Sequence, residues 1–303
     1  MTSRLYFIQT LSSLHIGTGQ GADDIDLPVS RDPVTGYPDI PGSGLKGVLR
    51  DELKQADRAL TDAALGAEDA QGNDAASAVS FGDGRLVCLP VKSLHGTFAW
   101  LASSESLRLL GRALDRCGIT KPGDVPALPR CSIALTDESA LSGDRNTVVL
   151  NEFSLSTADD QTAAVTAWAE WLGSRLFTET ADLNAFTARF GVVESSVFDF
   201  LCEAALPVAA RNRIGPNGIV EAGALWYEEY VPAEAIFAGV LTAQHGLGRH
   251  SIHKAPALLA HVAGATSERF LQLGGKATTG RGFVRLSFPK EEAKPATTSP
   301  AQP

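Results

Sequence analysis

Residues 15–50 of the chain read HIGTGQGADDIDLPVSRDPVTGYPDIPGSGLKGVLR. The segment begins as a glycine-rich loop with several aspartates and ends in apolar residues spaced three and four positions apart, which predicts an amphipathic helix docked on a core. The preceding residues 4–11, RLYFIQTL, have the composition of a strand. The chain is therefore predicted to open with a strand, a long loop and a helix.

The start of the predicted helix combines features that suit a phosphate group. Ser43 is expected at the N-cap, and Gly42 and Gly44 leave the neighbouring backbone N–H groups uncovered. Lys46 and Arg50 follow on one stripe of the helix. A cation in the first turn faces the positive end of the helix dipole, which costs about 0.3 to 1 kcal/mol unless an anion binds there. The alternative is an ordinary solvated helix face.

The first glycine-rich loop also carries candidate catalytic groups. Asp23, Asp24 and Asp26 lie within four positions, and His15 lies eight residues before the first of them. Apolar neighbours and a following proline are expected to fix the backbone around Asp26 and leave its carboxylate pointing outward. A lone carboxylate can hold Mg²⁺ if phosphates and waters complete the shell. His15 is a candidate acid or base, or a structural histidine at a strand end.

A second glycine-rich loop, GGKATTGRG, spans residues 274–282. It lacks the terminal GK[ST] of a P-loop and is expected to follow a helix, which argues against an ATPase. Read as a backbone nest, it offers N–H groups, hydroxyls and two cations to a phosphate chain. The candidate contacts are Gly274, Gly275, Lys276, Thr279, Gly280 and Arg281. The alternative is a glycine-rich turn into an edge strand.

Composition narrows the class of protein. The 303 residues are 44% hydrophobic and 20% charged, which is ordinary for a globular protein. The net charge of -9 argues against holding nucleic acid by bulk positive charge, so any such contact must be local. The four cysteines have no CxxC spacing, and no signal peptide or membrane span is apparent. A cytoplasmic protein without a zinc cluster or a membrane partner is expected.

The rest of the chain alternates predicted strands and helices in an α+β pattern. Strand-like runs occur in RLVCLPV, GTFAW, CSIAL, TVVLNEF, ALWYEEYV, AIFAGVLTA and FVRLSF, and helices are predicted at 106–114, 164–177, 196–206 and about 256–273. The turn GPNG is a candidate hairpin tip. Strand and helix order at the two ends predicts a split βαβ unit of the ferredoxin-like or RNA-recognition kind.

The predicted organisation is a single domain over residues 1–290, with insertions at about 61–79 and 100–230 and a disordered tail at 291–303. Residues 226–230, WYEEY, alternate rings and acids as a half-buried strand does, so Trp226 is expected in the core. Glu228 or Glu229 is expected to face the first loop.

Five segments in this order carry a family resemblance: HIGTGQGADDIDLPVSRDPVTGYPDIPGSGLKGVLR, LPVKSLHGTFAW, VVLNEF, GALWYEEYVP and GGKATTGRGFVRL. Together they resemble the multi-copy backbone subunits of type III-B CRISPR effector complexes, the Cmr complexes, within the RAMP superfamily. The resemblance covers nearly the whole chain.

The resemblance implies a modified RNA-recognition fold with large insertions and a thumb β-hairpin. It implies copies stacked as a helical filament on a guide RNA, with other effector subunits, and cleavage of complementary target RNA at six-nucleotide intervals. Asp26 matches the aspartate essential for metal-dependent cleavage, so Mg²⁺ or Mn²⁺ is the expected cofactor. The implied chemistry is attack by the adjacent 2′-hydroxyl.

By the same resemblance, His15, Lys46, Glu229 and Tyr230 fall on site-related motif positions, and His15, Glu229 and Tyr230 are candidate catalytic residues beside Asp26. Guide-RNA contacts are assigned to the helix entrance and to the second glycine loop. Two rival functions stay open: a backbone subunit that binds guide and target without cutting, and a stand-alone endoribonuclease that processes guide precursors.

Overall fold

The computed structural model describes residues 2–19, 21, 24–67, 76–143, 146–246, 252–264 and 268–289. The strands in this part of the chain are β1 (Thr2–Thr10), β2 (Asp39–Ile40), β3 (Val79–Phe81), β4 (Gly84–Lys92), β5 (Phe98–Ser103), β6 (Ser132–Leu135), β7 (Thr147–Leu150), β8 (Phe153–Thr157), β9 (Phe190–Val193), β10 (Val208–Ile214), β11 (Val220–Glu229), β12 (Ile236–Ala243), β13 (Glu268–Gln272) and β14 (Phe283–Ser287). The helices are α1 (Gly42–Ala56), α2 (Arg58–Leu65), α3 (Ser104–Cys117), α4 (Thr162–Leu176), α5 (Thr180–Arg189), α6 (Ser195–Ala204) and α7 (Ala255–Ala263).

Four antiparallel strands lie side by side in the order β14, β1, β12 and β4. Along the chain, α1 lies between β1 and β4, and α7 lies between β12 and β14. The four strands are thus the fourth, first, third and second of a β-α-β-β-α-β unit, which is the split βαβ arrangement of ferredoxin-like folds. The predicted α+β fold class is confirmed.

Strand β1 is buried on both of its faces. Tyr6 and Ile8 belong to a core that includes Leu45 of α1, whereas Leu5 and Phe7 belong to a second core that includes Trp168 of α4. Successive side chains of a strand point to opposite faces, so a strand covered on both sides must be apolar almost throughout. This explains why RLYFIQTL does not alternate with polar residues.

Most residues of the second core come from the chain between β4 and β12. Strands β5, β9, β6, β8 and β7 extend the same sheet beyond β4, and α3, α4 and α5 are part of this segment. The segment ends in the hairpin β10–β11, a separate two-stranded sheet. Its tip is closed by a bond from Gly215 N–H to Ile219 O of 2.8 Å, so the predicted hairpin turn at GPNG is confirmed.

Two parts of the predicted layout differ from the structure. The helix predicted from about Pro256 to Leu273 ends at Ala263, because Gly264 takes a positive φ of 83° and Glu268–Gln272 form β13. The segment 61–79, predicted as an insertion, includes regular elements at both ends: α2 runs to Leu65, and Val79 is buried at the start of β3. Residues 68–75 and 291–303 lie outside the described residues.

The division into one domain of 1–290 with its insertions stays a prediction. Among the described residues, no helix is both long enough and apolar enough to span a bilayer.

Candidate functional site

The first loop is attached to the base of the β10–β11 hairpin. Leu27 pairs with Glu228 in a parallel bridge, with Leu27 N–H donating to Tyr227 O at 3.1 Å and Glu229 N–H donating to Leu27 O at 3.0 Å. Asp26 Oδ2 accepts the N–H of Tyr227 at 2.7 Å, while the side chain of Asp26 stays exposed. The hairpin backbone therefore fixes one oxygen of this carboxylate and leaves the other accessible.

His15 lies buried beside this attachment. Its Nδ1 is 2.8 Å from the carbonyl oxygen of Glu229, and its ring meets Tyr230 edge to face at 5.7 Å between centroids. A carbonyl can only accept a hydrogen bond, so Nδ1 carries the proton and Nε2 of the neutral ring is the basic nitrogen. A Cβ on Gly17 would lie 2.8 Å from Nε2, so glycine is needed at position 17 to keep that nitrogen uncovered.

Glu228 is the buried centre of a polar cluster that reaches four other side chains. Lys276 Nζ and Trp226 Nε1 donate to Oε1 at 2.6 and 2.7 Å. Oε2 accepts the hydroxyl of Tyr230 and lies 3.4 Å from Arg211 Nε. Burial opposes ionisation of Glu228, but the bonds from Lys276, Tyr230 and Trp226 and the charge of Lys276 lower its pKa to about 2. The carboxylate is ionised across the neutral range.

The side chain of Glu229 points to the other side of the same strand and bonds to residues of the first loop. Its Oε2 accepts Val29 N–H at 2.9 Å and its Oε1 pairs with Arg31 Nη2 at 2.5 Å. Arg31 also donates to Cys202 O of α6 at 2.8 Å. Glu229 thus faces the first loop, as the sequence predicted of one of the two glutamates, whereas the Glu228 carboxylate bonds to Lys276 of the second glycine loop. Trp226, however, is only partly buried, because its strand leaves the core sheet to form the hairpin.

The second glycine loop packs against the first. Gly275 N–H donates to His15 O at 2.9 Å, and Gly282 N–H donates to Ser13 O at 2.9 Å. Gly274 has a φ of 71°, and a Cβ there would run into the same His15 carbonyl. The structure therefore brings together the two loops that the sequence placed almost 260 residues apart.

The backbone of the second loop is less open than predicted. The N–H groups of Thr279 and Arg281 bond to Lys276 O at 3.0 and 3.3 Å, and that of Gly280 bonds to Ala277 O at 2.9 Å. The predicted nest of uncovered N–H groups is wrong at these positions, because the loop closes as a 3-10 turn. The guanidinium of Arg281 lies 4.5 Å from the centre of the Tyr230 ring, and its buried Nε has no acceptor among the described residues.

The entrance of α1 also differs from the predicted cradle. Pro41, not Ser43, is the N-cap, and Ser43 is an exposed residue of the first turn. Pro41 has no side-chain oxygen to cap the helix, so Asp83 does so: its Oδ1 accepts Gly42 N–H at 2.8 Å. Gly44 N–H is used as well, in a bond of 3.0 Å to Pro41 O.

The two cations of α1 differ in their surroundings. Arg50 donates to Leu65 O at 2.5 Å and to Gly66 O at 3.0 Å, which ties α1 to the end of α2. Lys46 is half-buried, and it has no ion-pair partner within the part of the chain that the structure describes. Burial, with a further contribution from Arg50, lowers the pKa of Lys46. Lys46 and the Ser43 hydroxyl are the groups of this entrance best placed for an anion.

The side chains fit a metal only as a site shared with a ligand. No group of three or more His, Cys, Asp or Glu side chains occurs among the described residues. Asp26 offers Oδ1, since Oδ2 is held by Tyr227 N–H. Oxygen ligands from an RNA phosphate and water would have to complete the shell, as they commonly do for Mg²⁺.

Sequence reasoning missed Arg31 and Arg211 and did not separate the roles of Glu228 and Glu229. The partners of these groups lie far away in the chain: Arg31 and Glu229 are 198 residues apart. Only the alternation of strand residues hinted that adjacent glutamates would face different neighbours.

Comparison with known proteins gives a consistent result along the whole chain. A family model described as the RAMP superfamily matches residues 7–285. The CRISPR system Cmr endoribonuclease Cmr4 of Pyrococcus furiosus is 30% identical over 293 residues, covering 95% of this chain and 96% of that protein. The CRISPR system CMR subunit Cmr4 of Saccharolobus solfataricus is 26% identical over 307 residues, covering 93% of this chain and 95% of that protein.

Solved structures share the fold. A crystal structure of oligomeric Cmr4 from Pyrococcus furiosus has a TM-score of 0.74 at 24% identity and covers 96% of this chain and 99% of its own. A chain of the cryo-EM structure of type III-B Cmr-beta bound to cognate target RNA has a TM-score of 0.70 at 23% identity and covers 95% of this chain and 97% of its own. At these identities the likeness establishes the architecture.

Proposed function

The chain belongs to the RAMP superfamily, and from this membership we propose that it is the backbone subunit of a type III-B CRISPR ribonucleoprotein that cleaves target RNA. Copies of the chain stack on a guide RNA together with other effector subunits, and each copy cuts the complementary strand once. The supporting relatives are named as a Cmr endoribonuclease and a subunit of the same system, and both match nearly full length. A cytoplasmic location accords with this role.

The observation that carries the cleavage proposal is the setting of Asp26. The Asp26 carboxylate is exposed, and Tyr227 N–H at the base of the hairpin holds one of its oxygens. A relative that is 30% identical to this chain is named as an endoribonuclease. A catalytic group must be held rigidly by the surrounding structure, and the neighbouring Leu27 is bonded through both its N–H and its C=O to the hairpin backbone. Asp24, in the same loop, is also exposed.

The proposed reaction is transesterification within the target strand. The 2′-hydroxyl loses its proton and attacks the adjacent phosphorus, the bond to the 5′-oxygen breaks, and that oxygen takes a proton from water. The products are a 2′,3′-cyclic phosphate and a 5′-hydroxyl. Nε2 of His15 is able to accept the proton of the 2′-hydroxyl, because Nδ1 already holds a proton against Glu229 O. A divalent ion, Mg²⁺ or Mn²⁺, held by Asp26 and RNA phosphate oxygens would offset negative charge that develops on the phosphate.

The geometry supports positioning roles for the two glutamates. Glu229 is bonded to Val29 N–H and to Arg31, one on each side of Ser30, and so anchors the loop that carries Asp26. Glu228 holds Tyr230, whose ring packs on His15. These contacts support positioning roles for Glu229 and Tyr230, beside the reacting groups. Guide phosphates are assigned to Ser43, Lys46 and the side chains of the second glycine loop.

The test compares Asp26→Asn with Asp24→Asn in the assembled complex. Each variant is assembled on a defined guide, given end-labelled complementary RNA with Mg²⁺ or EDTA, and its products are mapped. We expect a metal-dependent six-nucleotide ladder for wild type and Asp24→Asn, and cleavage by Asp26→Asn reduced by a factor of roughly 100 or more, the size typical of losing a group that acts in the transition state. Guide binding should be equal in all three proteins.

Two other outcomes would favour the rival functions. A complex that binds target tightly and gives no ladder with wild type would be a guide-holding scaffold. A purified chain that cuts precursor RNA without assembly would be a stand-alone processing enzyme. Equal cleavage by Asp26→Asn and wild type would refute the assignment of Asp26 while leaving the assembly proposal intact.

A further inference from the structure

Two phenylalanines stand exposed on the outer strands of the main sheet. Phe270 of β13 and Phe283 of β14 are 60% and 46% exposed, and their rings stack at 5.9 Å with only 14° between their planes. The strand register pairs Phe270 with Arg285 and Gln272 with Phe283, so the two rings lie on one face of the ladder. Leu271 and Val284, on the other face, are buried in the core.

This placement is unusual for a solvent-facing sheet surface. Outward positions of such strands normally carry polar side chains, and β13 is an edge strand, where exposed apolar side chains promote unwanted pairing. Neither ring is required by the core, because Leu271, Val284 and Leu286 fill it from the opposite face. A partner that binds this face would explain why both rings are exposed to solvent.

The rings lie directly beside the second glycine loop. Phe283 is the first residue after that loop, and its N–H donates to Ser12 Oγ at 3.0 Å at the end of β1. Arg281, two residues before, has a buried Nε with no acceptor among the described residues. The Arg281 guanidinium lies over the Tyr230 ring, two residues along the chain from Phe283. A stacking surface and a guanidinium this close in the chain match the two parts of a nucleotide, the base and the phosphate.

We propose that the Phe270–Phe283 pair is a base-stacking platform for an unpaired nucleotide of RNA, whose phosphate is held by Arg281. The inference rests on the proposed function, since it assumes RNA on this part of the protein. Aromatic stacking tolerates any base because every base has a π-face, so the platform would serve a subunit that meets many guide sequences. A second copy of the chain is the competing occupant of the two rings.

The test measures RNA affinity of the full-length chain by fluorescence anisotropy. The variant is Phe270→Leu with Phe283→Leu, which keeps the surface apolar and removes the flat π-faces. The matched control is Phe200→Leu on α6, a ring with 52% exposure far along the chain from the glycine loop. The probes are a labelled unstructured 12-nucleotide RNA and the same backbone with abasic sites in place of bases.

We expect the double variant to bind the base-bearing RNA roughly 5- to 100-fold more weakly, the range given by aromatic–base stacks, with an unchanged salt slope. Binding of the abasic RNA, the unfolding midpoint and the behaviour of Phe200→Leu should not change. A Phe270→Trp, Phe283→Trp protein should recover the affinity.

The remaining outcomes contradict the proposal in distinct ways. Unchanged RNA affinity with a shift to smaller oligomers in light scattering would assign the rings to a copy–copy contact. Equal losses for both RNAs would assign them a structural role. Wild type that binds neither RNA would overturn this proposal and the proposed function together, whereas binding that responds to Lys46→Ala and ignores the rings would overturn this proposal alone.

Discussion

The base of the β10–β11 hairpin and the entrance of α1 differ in how their charges are paired. At the hairpin base, Glu228 and Glu229 are each 2% exposed and bonded through both carboxylate oxygens. At the helix entrance, Lys46 is half-buried with a lowered pKa and has no described ion-pair partner. The paired charges of Glu228 and Glu229 hold the hairpin base in one conformation. Lys46 is partly desolvated and has no described counter-charge, so it is suited to bind an anion.

The largest effect should come from removing the carboxylate at the centre of the hairpin base. Glu228→Ala leaves Lys276, Arg211 and the Tyr230 hydroxyl without their acceptor. Breaking a buried pair costs about 3 to 5 kcal/mol, and because the two cations are about a third exposed we expect about 2 to 3 kcal/mol of unfolding free energy. Urea denaturation, monitored by fluorescence, measures this loss of unfolding free energy.

The control for this prediction lies on the same hairpin. Glu221 pairs with Arg213 at 3.7 Å near the tip, with both side chains exposed. Glu221→Ala should cost less than about 1 kcal/mol, as surface pairs do. Equal losses of unfolding free energy for Glu221→Ala and Glu228→Ala would show that the buried pairing of Glu228 adds no stability to the hairpin base.

A smaller effect on stability, with a larger one on catalysis, is expected for Glu229→Gln. The amide keeps the shape of the side chain, but it loses the charge that Arg31 meets and can accept only through one oxygen. We expect about 1 to 2 kcal/mol of lost stability and a clear drop in cleavage rate, because the loop that holds Asp26 loosens. Guide affinity should be unchanged, and the exposed Glu152→Gln serves as the control. Full cleavage by Glu229→Gln would remove the positioning role.

Acid should weaken the hairpin base through protonation of Glu228. The pKa of Glu228 is lowered from an ordinary 4.5 to about 2 in the folded protein. A carboxylate with a depressed pKa contributes stability that is complete above its unfolded pKa and disappears as the pH falls through the folded value. The stability gap between wild type and Glu228→Gln should therefore close between pH 4.5 and about 2. A gap that stays constant over that range would contradict the assigned pairing.

The smallest effect on stability is expected at the entrance of α1. Lys46→Ala should leave the unfolding free energy within about 0.5 kcal/mol of wild type, since Lys46 forms no ion pair among the described residues. It should weaken RNA binding about equally for all sequences and reduce the slope of log affinity against log salt by about one. Lys92→Ala, at an exposed position of β4, is the control. An unchanged salt slope for Lys46→Ala would show that Lys46 does not contact a phosphate.

Local sequence signals predicted much of the fold. The strand at residues 4–11, the helix after Pro41 and the turn GPNG were recognisable because each depends on neighbours within a few positions. The missed strand β13 shows the limit of this reasoning: its residues follow an apolar helix, and the break at Gly264 depends on a backbone conformation that glycine permits but does not require. The same holds for the helix cap, which Asp83 supplies from 41 residues further along the chain.

The sequence by itself determined the α+β class, the two glycine loops, the family resemblance and Asp26 as the candidate catalytic aspartate, since these rest on local composition and on the order of motifs. Only the tertiary structure decided that the two loops meet at His15, that Glu228 and Glu229 anchor different partners, and that Arg50 is tied to α2 while Lys46 stays open. The physical reason is that pairing of buried charges depends on which distant residues the fold brings within about 3 Å, and spacing along the chain does not encode that distance.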